Sequence, residues 1–230
     1  ASNIPVGKIS ATEESNNASV DYFKITVKGR GAHVSTPEKG IDALFVASEI
    51  VVSAQALVTR RINPTDSVII GIGKLEAGTA YNIVAKSAVL EETIRVMYPE
   101  IRKQVKSELE SLAKGIASIY GAEAEIEYKD FTSPLINPVD TTKEVAIVAK
   151  RLLGEENVIT NRPYSLGGDD FAEFNLRVPG TYVYVGSGNE NNPNTMVAHH
   201  DGLFEIDEDC LLIASRLHVA YALSFLANLI

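Results

Sequence analysis

The sequence predicts an α/β protein in which a complete ferredoxin-like unit is followed by a partial α/β unit. Two patterns carry this prediction: apolar and polar residues alternate where strands are expected, and apolar residues recur every three or four positions where helices are expected. In residues 12–129 the order is βαββαβ, which is that of a ferredoxin-like fold. Residues 130–230 predict a helix, a strand and a helix, which provide too few strands to close a core.

The alternation is clearest in the first strand, where Phe23, Ile25 and Val27 share one face. The same alternation in the third strand places Arg95 on the face away from the two helices. Gly121 is expected just past the end of the second helix, where a left-handed residue commonly stands. The six elements are predicted as a strand at 22–28, a helix at 41–61, strands at 67–75 and 83–97, a helix at 99–120 and a strand at 122–128.

The second unit is predicted as a helix at 141–153, a short buried strand at 182–186 and a helix at 209–229. A buried parallel strand needs neighbours on both sides, and these elements do not provide them. We therefore expect residues 130–230 either to expose an unusually apolar surface or to pair with strands that are not in this sequence.

The amino-acid composition of the chain argues against several classes of binding partner. The net charge of −9, the pI near 5.0 and the lack of a Lys/Arg stripe argue against nucleic acid. No apolar run approaches the roughly 20 residues that span a bilayer, so no membrane partner is expected. Cys210 is the only cysteine, which excludes an internal disulfide framework and favours a reducing, cytoplasmic location.

Two of the four histidines, His199 and His200, are adjacent and are followed by an acidic run. Imidazole is the commonest metal ligand and the usual proton carrier near neutral pH. Adjacent residues on an extended segment point in opposite directions, so only one of the pair would face a site. No H-E-x-x-H or C-x-x-C motif accompanies them, and a solvated loop pair is an equal alternative.

Three further positions could serve a binding site. His33 lies in a glycine-rich loop after the first strand, although a loop histidine is often merely solvated. Arg95 could bind a carboxylate with two hydrogen bonds, or it could form a salt bridge with Glu91 or Glu92. Gly168 precedes acidic residues at a helix start, where the backbone could approach a ligand or simply form a capped turn.

Five segments occur in one order along the chain: residues 4–9, 29–37, 78–84, 167–171 and 199–209. Together they resemble the co-catalytic metallopeptidase superfamily of aminoacylases, carboxypeptidase G, succinyl-diaminopimelate desuccinylase and plant auxin-conjugate hydrolases, particularly its bacterial N-acyl-amino-acid amidohydrolase branch. The resemblance implies that residues 12–129 are the family's lid and dimerisation domain. It also implies that residues 1–11 and 130–230 are the C-terminal part of its catalytic domain, whose N-terminal part is absent from this sequence.

The resemblance implies a pair of divalent metal ions, zinc or manganese, whose site is incomplete in this chain. His200 would be the remaining ligand, since ungapped spacing from residues 204–209 favours it over His199. The other ligands and the general base belong to the part of the family that has no match here. In the family, a metal-activated water attacks an amide carbonyl, and the general base accepts its proton.

The resemblance also implies how a substrate is held. His33 would reach across a dimer into the partner's site and donate a hydrogen bond to the oxyanion of the tetrahedral intermediate. Asn82 and Arg95 would bind the substrate, with Arg95 taking its carboxylate. The backbone at Gly168 would line the same pocket.

A homodimer through the lid is expected from the edges of its sheet. In the βαββαβ topology the second and fourth strands are the edges. The fourth carries Glu123, Glu125 and Glu127, charges of the kind that prevent edge pairing, whereas the second, at residues 68–72, is apolar and unprotected. Pairing the second strand with its copy across a two-fold axis would cover both edges.

Two functions fit the sequence. The first is a metal-dependent amidohydrolase or peptidase that cleaves N-acyl amino acids or small peptides; this chain would hold part of its active site and be inactive alone. The second is a non-catalytic dimerisation or ligand-binding module. The missing ligands favour the second for this chain by itself, whereas His33, Asn82, Arg95 and His200 favour the first for the complete gene product.

Overall fold

The computed structural model describes residues 1–227, which form two compact units. The ferredoxin-like unit consists of residues 17–135 and 165–172, and the α/β unit of residues 1–16, 136–164 and 173 onward. The family domains predicted at 12–129 and at 1–11 with 130–230 stay a prediction, because a compact unit is not by itself a family domain.

The bounds of the elements follow the predicted order. The strands are β1 (Ile9–Ser10), β2 (Glu14–Asn17), β3 (Val20–Lys28), β4 (Val68–Ala77), β5 (Ser87–Val96), β6 (Glu123–Thr132), β7 (Leu135–Asn137), β8 (Val158–Ile159) and β9 (Tyr184–Val185). The helices are α1 (Ala43–Arg60), α2 (Pro99–Ile119), α3 (Val139–Leu153), α4 (Phe171–Asn175) and α5 (Asp209–Leu226). The predicted end of the last helix, at residue 229, lies outside the described residues.

The sheet of the ferredoxin-like unit has the strand order β4–β5–β3–β6, and every neighbouring pair is antiparallel. This order, with one helix between β3 and β4 and another between β5 and β6, is that of a ferredoxin-like fold. The predicted fold class is therefore confirmed. The edges are β4 and β6, the second and fourth strands of the unit, as expected.

The core of this unit lies between one face of the sheet and the helices α1 and α2. Phe23 and Ile25 of β3 and Ile94 and Val96 of β5 are completely buried there. Each such side chain stabilises the fold by about 1.5–3 kcal/mol relative to leaving it in water. Arg95 stands between two of these buried residues and therefore lies on the opposite, open face, as predicted.

Local signals fix the ends of the two helices. The side chain of Asp42 accepts hydrogen bonds from the N–H groups of Leu44, at 3.0 Å, and Phe45, at 3.3 Å, and so caps the start of α1. Helix α2 begins at Pro99, whose missing N–H costs nothing in the first turn. It is followed by Gly121 at a φ of 74°, which is the predicted left-handed position.

Two buried carboxylates of this unit lie in opposite environments. Asp21 receives two hydrogen bonds from Nε of Arg102, at 3.0 and 3.2 Å, one from Nη2 at 2.7 Å and one from Ser19 at 3.0 Å, and it pairs with Lys106 at 2.7 Å. Burial alone would raise the pKa of Asp21, but the two cations outweigh burial and lower it. Glu92 is 4% exposed, neither of its oxygens has a hydrogen-bond partner among the described residues, and burial raises its pKa to about 7.

The α/β unit contains a small three-stranded sheet of order β8–β1–β9. Strand β1 runs parallel to β8 and antiparallel to β9. The strand predicted at 182–186 is shorter than expected, and it is half-buried rather than buried because β9 is an edge strand with β1 as its one neighbour in this sheet. Among the described residues, the hydrophobic cluster of this unit is small, and its buried members are Ile9, Val148, Ala149 and Leu217.

The α/β unit exposes a large apolar surface on α5 and the segment after α4. The large apolar side chains with the highest exposure in this unit are, among the described residues, Phe174, Leu176, Val178, Leu203, Leu212, Leu223 and Leu226. Stable monomers rarely expose contiguous patches of this kind. These exposed residues agree with the apolar surface predicted for residues 130–230, and pairing with strands outside this sequence stays a prediction.

Two described helices, α1 and α5, are long and apolar enough to cross a membrane by length and composition alone. The sequence reading missed them because polar residues such as Glu49 and Gln55 interrupt the apolar run while the mean hydropathy stays high. Helix α1 packs its apolar face into the core of its sheet, as the core helix of a globular unit does. The absence of a membrane partner stays a prediction.

Candidate functional site

Backbone pairing brings the His33 loop and Asn82 together at one end of the ferredoxin-like sheet. Beyond the end of β3, the N–H of Val84 donates to the carbonyl of Ala32 at 2.9 Å, and the N–H of Val34 donates to the carbonyl of Asn82 at 3.2 Å. His33 therefore faces Ile83 across an isolated antiparallel bridge. The side chain of Asn82 is exposed and makes no hydrogen bond within residues 1–227.

The imidazole of His33 is exposed and is held by its own loop. Its Nδ1 accepts a hydrogen bond from the backbone N–H of Ser35 at 3.1 Å and lies 2.7 Å from Oγ of the same residue. Among the described residues, no side chain or backbone group occupies Nε2. The loop thus fixes the ring through Nδ1 and leaves Nε2 exposed.

Arg95 stands at the opposite end of the sheet, where Ile69 of the edge strand β4 is its cross-strand neighbour. It is half-buried and forms no salt bridge in the part of the chain that the structure describes. Glu91 is instead bonded to Lys74 at 2.9 Å and to Tyr22 at 3.1 Å, and Glu92 faces the helices. Neither alternative ion pair exists, and the guanidinium remains available to an anion.

Gly168 lies at the same end of the sheet as Arg95. A Cβ at this position would overlap the side chain of Val20, which starts β3, and would lie 3.1 Å from Oγ1 of Thr132. Val20 lies between the Asp21–Ile94 pair and the hydrogen bond from Ser19 N–H to the carbonyl of Val96, and it is therefore opposite Arg95. The backbone N–H of Gly168 has no acceptor within the described residues. Glycine is therefore required here, and its N–H is free to bind a ligand next to Arg95.

The capped-turn alternative for this segment is present as well. Oδ1 of Asp169 accepts a hydrogen bond from the N–H of Phe171 at 2.9 Å, at the start of the short helix α4. The turn is held to the sheet because the N–H of Ala18 donates to the carbonyls of Ser165 and Gly167, both at 3.1 Å. Capping and close packing thus fix the backbone that surrounds Gly168.

The candidate residues of the ferredoxin-like unit form two separate groups. Strand β5 runs from Ser87, beside the first group, to Arg95 in the second. At about 3.3 Å per residue these two positions lie roughly 25 Å apart. His33 and Asn82 therefore cannot reach a small ligand that Arg95 and Gly168 of the same chain hold.

In the α/β unit, His200 adopts a φ of 69°, which non-glycine residues rarely do. The ring of His199 packs edge-on against Phe204, with centroids 5.0 Å apart, whereas His200 is exposed and without a partner among residues 1–227. A positive φ at such a residue is often associated with a functional site. Within the described residues, no group of three His, Cys, Asp or Glu side chains could hold a metal ion.

Sequence reasoning missed Ser35 and Glu92. A hydroxyl two residues after a loop histidine is a usable signal for the first, since such side chains commonly bond within tight turns. The second follows from the alternation that places Arg95 on the open face, because the same alternation puts Glu92 among the core residues.

Comparisons with known proteins identify the class. Residues 17–120 match the model of the peptidase dimerisation domain of the M20 family. The chain thus contains an M20 dimerisation domain, and the predicted resemblance to the amidohydrolase and metallopeptidase superfamily is confirmed. The match covers the whole βαββα part of the ferredoxin-like unit, including His33, Asn82 and Arg95.

Individual relatives extend the similarity over nearly the whole chain. N-acetylcysteine deacetylase of Bacillus subtilis is 33% identical and aligns with 93% of this chain and 54% of its own length. Thermostable carboxypeptidase 1 of Saccharolobus solfataricus is 31% identical over 98% of this chain and 56% of its own. The crystal structure of Bacillus subtilis YXEP, described as a dinuclear metal-binding peptidase from the M20 family, superposes with a TM-score of 0.78 at 27% identity, over 96% of this chain and 54% of that one. The chain spans about half the length of the relatives that it matches.

Proposed function

We propose that this chain forms part of a metal-dependent amidohydrolase or peptidase that cleaves N-acyl amino acids or small peptides. The observation that carries the proposal is the position of Arg95, whose guanidinium lies on an open sheet face beside the N–H of Gly168; neither group has a partner within residues 1–227. A planar guanidinium and an N–H group suit a carboxylate, which N-acyl amino acids and peptides both carry. The similarity to a deacetylase and a carboxypeptidase supports this class of substrate.

The second half of the proposal is that a partner chain supplies His33 and Asn82. These two residues lie roughly 25 Å from Arg95 along β5, so a single chain cannot place both groups on one small substrate. A homodimer would place His33 and Asn82 of the partner chain opposite Arg95 and Gly168 of this chain. The Nε2 atom of His33 would then donate a hydrogen bond to the carbonyl oxygen as negative charge develops on it.

The edge strand β4 is the proposed dimer contact. Its first half is apolar and Ile69 is 40% exposed, whereas the other edge, β6, carries glutamates that pair with Lys24 and Lys28. An unprotected edge strand favours pairing with another strand, and charges disfavour it. The match to a dimerisation domain supports the same conclusion.

A metal pair, with zinc or manganese as the expected ions, fits this chain only in part. His200 would provide one ligand, since it is exposed in an unusual backbone conformation and has no competing partner among the described residues. One imidazole binds a divalent ion weakly, so the remaining ligands would come from outside these residues. When bound, the metal pair would supply an activated water at neutral pH. A cytoplasmic location is part of the same proposal.

The test is to express the polypeptide of the complete reading frame alongside the 230-residue chain and to assay both, loaded with zinc or manganese, against a panel of N-acetyl amino acids and dipeptides. We expect hydrolysis by the complete product and none by the 230-residue chain. His200→Ala should abolish the activity, whereas the matched control His199→Ala should keep it. A complete, metal-loaded product that cleaves no member of the panel would contradict the proposal.

A non-catalytic dimerisation or ligand-binding module is the second candidate, because residues 1–227 contain no group of three or more His, Cys, Asp or Glu side chains that could hold a metal ion. This alternative predicts that His200→Ala leaves every measurable property of the complete product unchanged. It also predicts that an N-acyl amino acid binds through Arg95 without being cleaved.

A further inference from the structure

The loop around His33 determines which ring nitrogen carries the proton. The backbone N–H of Ser35 can only donate, and it donates to Nδ1 at 3.1 Å. Nδ1 must therefore hold a lone pair, and the proton of the neutral imidazole lies on Nε2. It follows that the Ser35 hydroxyl, 2.7 Å from Nδ1, also donates to this atom.

We propose that Ser35 is a positioning residue that keeps neutral His33 in the form protonated at Nε2. His33 then acts as a hydrogen-bond donor to a developing anion rather than as a base or a metal ligand through Nε2. The assignment of that anion as the oxyanion of amide hydrolysis rests on the proposed function. The tautomer itself depends only on the loop.

The surrounding backbone supports this arrangement. The N–H of Thr36 donates to the carbonyl of His33 at 2.9 Å, which closes a tight turn around Ser35. The bridge between His33 and Ile83 anchors the start of that turn to the neighbouring strand. An exposed imidazole without such contacts would sample several rotamers and both tautomers. A donor that is already oriented stabilises developing charge without reorganisation.

The test is the tautomer of His33 in the uniformly ¹⁵N-labelled 230-residue chain, measured from imidazole ¹⁵N shifts at a pH where the rings are neutral. His199, His200 and His218 serve as internal references, since none of their imidazole rings makes a hydrogen bond within the described residues. We expect His33 to show a wider separation between its protonated and unprotonated nitrogen shifts than these three. Ser35→Ala removes the hydroxyl and keeps the backbone N–H, so it should move His33 part of the way toward the references, and Ser35→Thr, which keeps the hydroxyl, should restore it.

Kinetics of the complete enzyme provide the second readout. Ser35→Ala should lower kcat roughly threefold to tenfold with KM unchanged, because it weakens one positioned donor without removing it. The proposal is overturned if His33 matches the reference histidines in the wild type, if Ser35→Ala leaves its shifts unchanged, or if kcat stays the same despite an altered tautomer. A wild-type product without hydrolytic activity would instead refute the proposed function, and the ¹⁵N shifts would still decide the tautomer.

Discussion

In the ferredoxin-like unit, Phe23 and Ile94 are completely buried between a four-stranded sheet and two helices. In the α/β unit, Leu212 and Leu223 of α5 are 63% and 64% exposed, and the sheet has three strands, each two residues long. Both units are rich in apolar residues, so hydrophobicity alone does not separate them. What separates them is the area of sheet available to cover the helices.

This comparison shows which unit can form a closed core and position its candidate residues from its own strands and helices. The ferredoxin-like unit has a closed core, and it already positions His33, Asn82, Arg95 and Gly168. The α/β unit carries His200 in a loop beside an uncovered helix. Under the proposed function, a dimer would complete the substrate-binding residues, whereas the metal site would need ligands other than His200.

The largest effect that tests this contrast is on stability. Leu90→Ala removes a completely buried side chain of β5 and should lower the free energy of unfolding of its unit by about 2–5 kcal/mol. The matched change Leu223→Ala removes a mostly exposed leucine of α5 and should alter stability by no more than about 0.5 kcal/mol. Hydrogen exchange of the β3 and β5 amides measures the stability of the ferredoxin-like unit separately from that of the α/β unit. If Leu90→Ala and Leu223→Ala lowered the free energy of unfolding equally, the difference in burial between the two units would have no energetic consequence.

The second effect is a pH dependence that the closed core creates through Glu92. Because the folded pKa of about 7 lies above the ordinary value of 4.5, the folded unit holds its proton while the unfolded chain releases it. Stability from this group is complete below pH 4.5 and declines as pH rises to about 7, by a total on the order of 3 kcal/mol. Glu92→Gln should flatten that decline in a pH series of urea unfolding curves. A slope that Glu92→Gln leaves unchanged would show that another group is responsible.

A smaller effect tests whether Gly168 and Arg95 form one binding position. Gly168→Ala introduces a Cβ that overlaps Val20, so the backbone beside Arg95 must shift. We expect KM of the complete enzyme to rise about tenfold, which corresponds to roughly 1.4 kcal/mol of binding. The double variant Gly168→Ala with Val20→Ala removes the overlapping side chain and should recover most of the loss. If the double variant is no better than Gly168→Ala, the close approach to Val20 is not the cause.

The ferredoxin-like fold was predictable because alternation and helical spacing are local signals. Phe23, Ile25 and Val27 mark a strand face without knowledge of any partner strand, and the same rule placed Arg95 correctly. The bulge between Ile72 and Lys74 in β4 was not predictable, since a register shift depends on the neighbouring strand.

The candidate site could be predicted as separate residues and not as an arrangement, and its role stays a prediction. The resemblance supplied His33, Asn82, Arg95, Gly168 and His200, but nothing local to these residues gives the distance between them. The separation of His33 from Arg95 arises from the length of β5 and the strand order. The hydrogen bonds to Nδ1 of His33 and the positive φ of His200 arise from loop geometry, for which sequence periodicity contains no information.

The most direct test of the central claim is a mixing experiment with two inactive variants of the complete enzyme, His33→Ala and Arg95→Ala. If the two groups act from different chains, a mixed dimer contains one site with an intact His33 from one chain and an intact Arg95 from the other. With random exchange of subunits, half the dimers are mixed and each has one restored site, so activity should return to about a quarter of the wild-type value. If both residues served a site within one chain, the mixture would stay as inactive as either variant alone, and the account would be wrong.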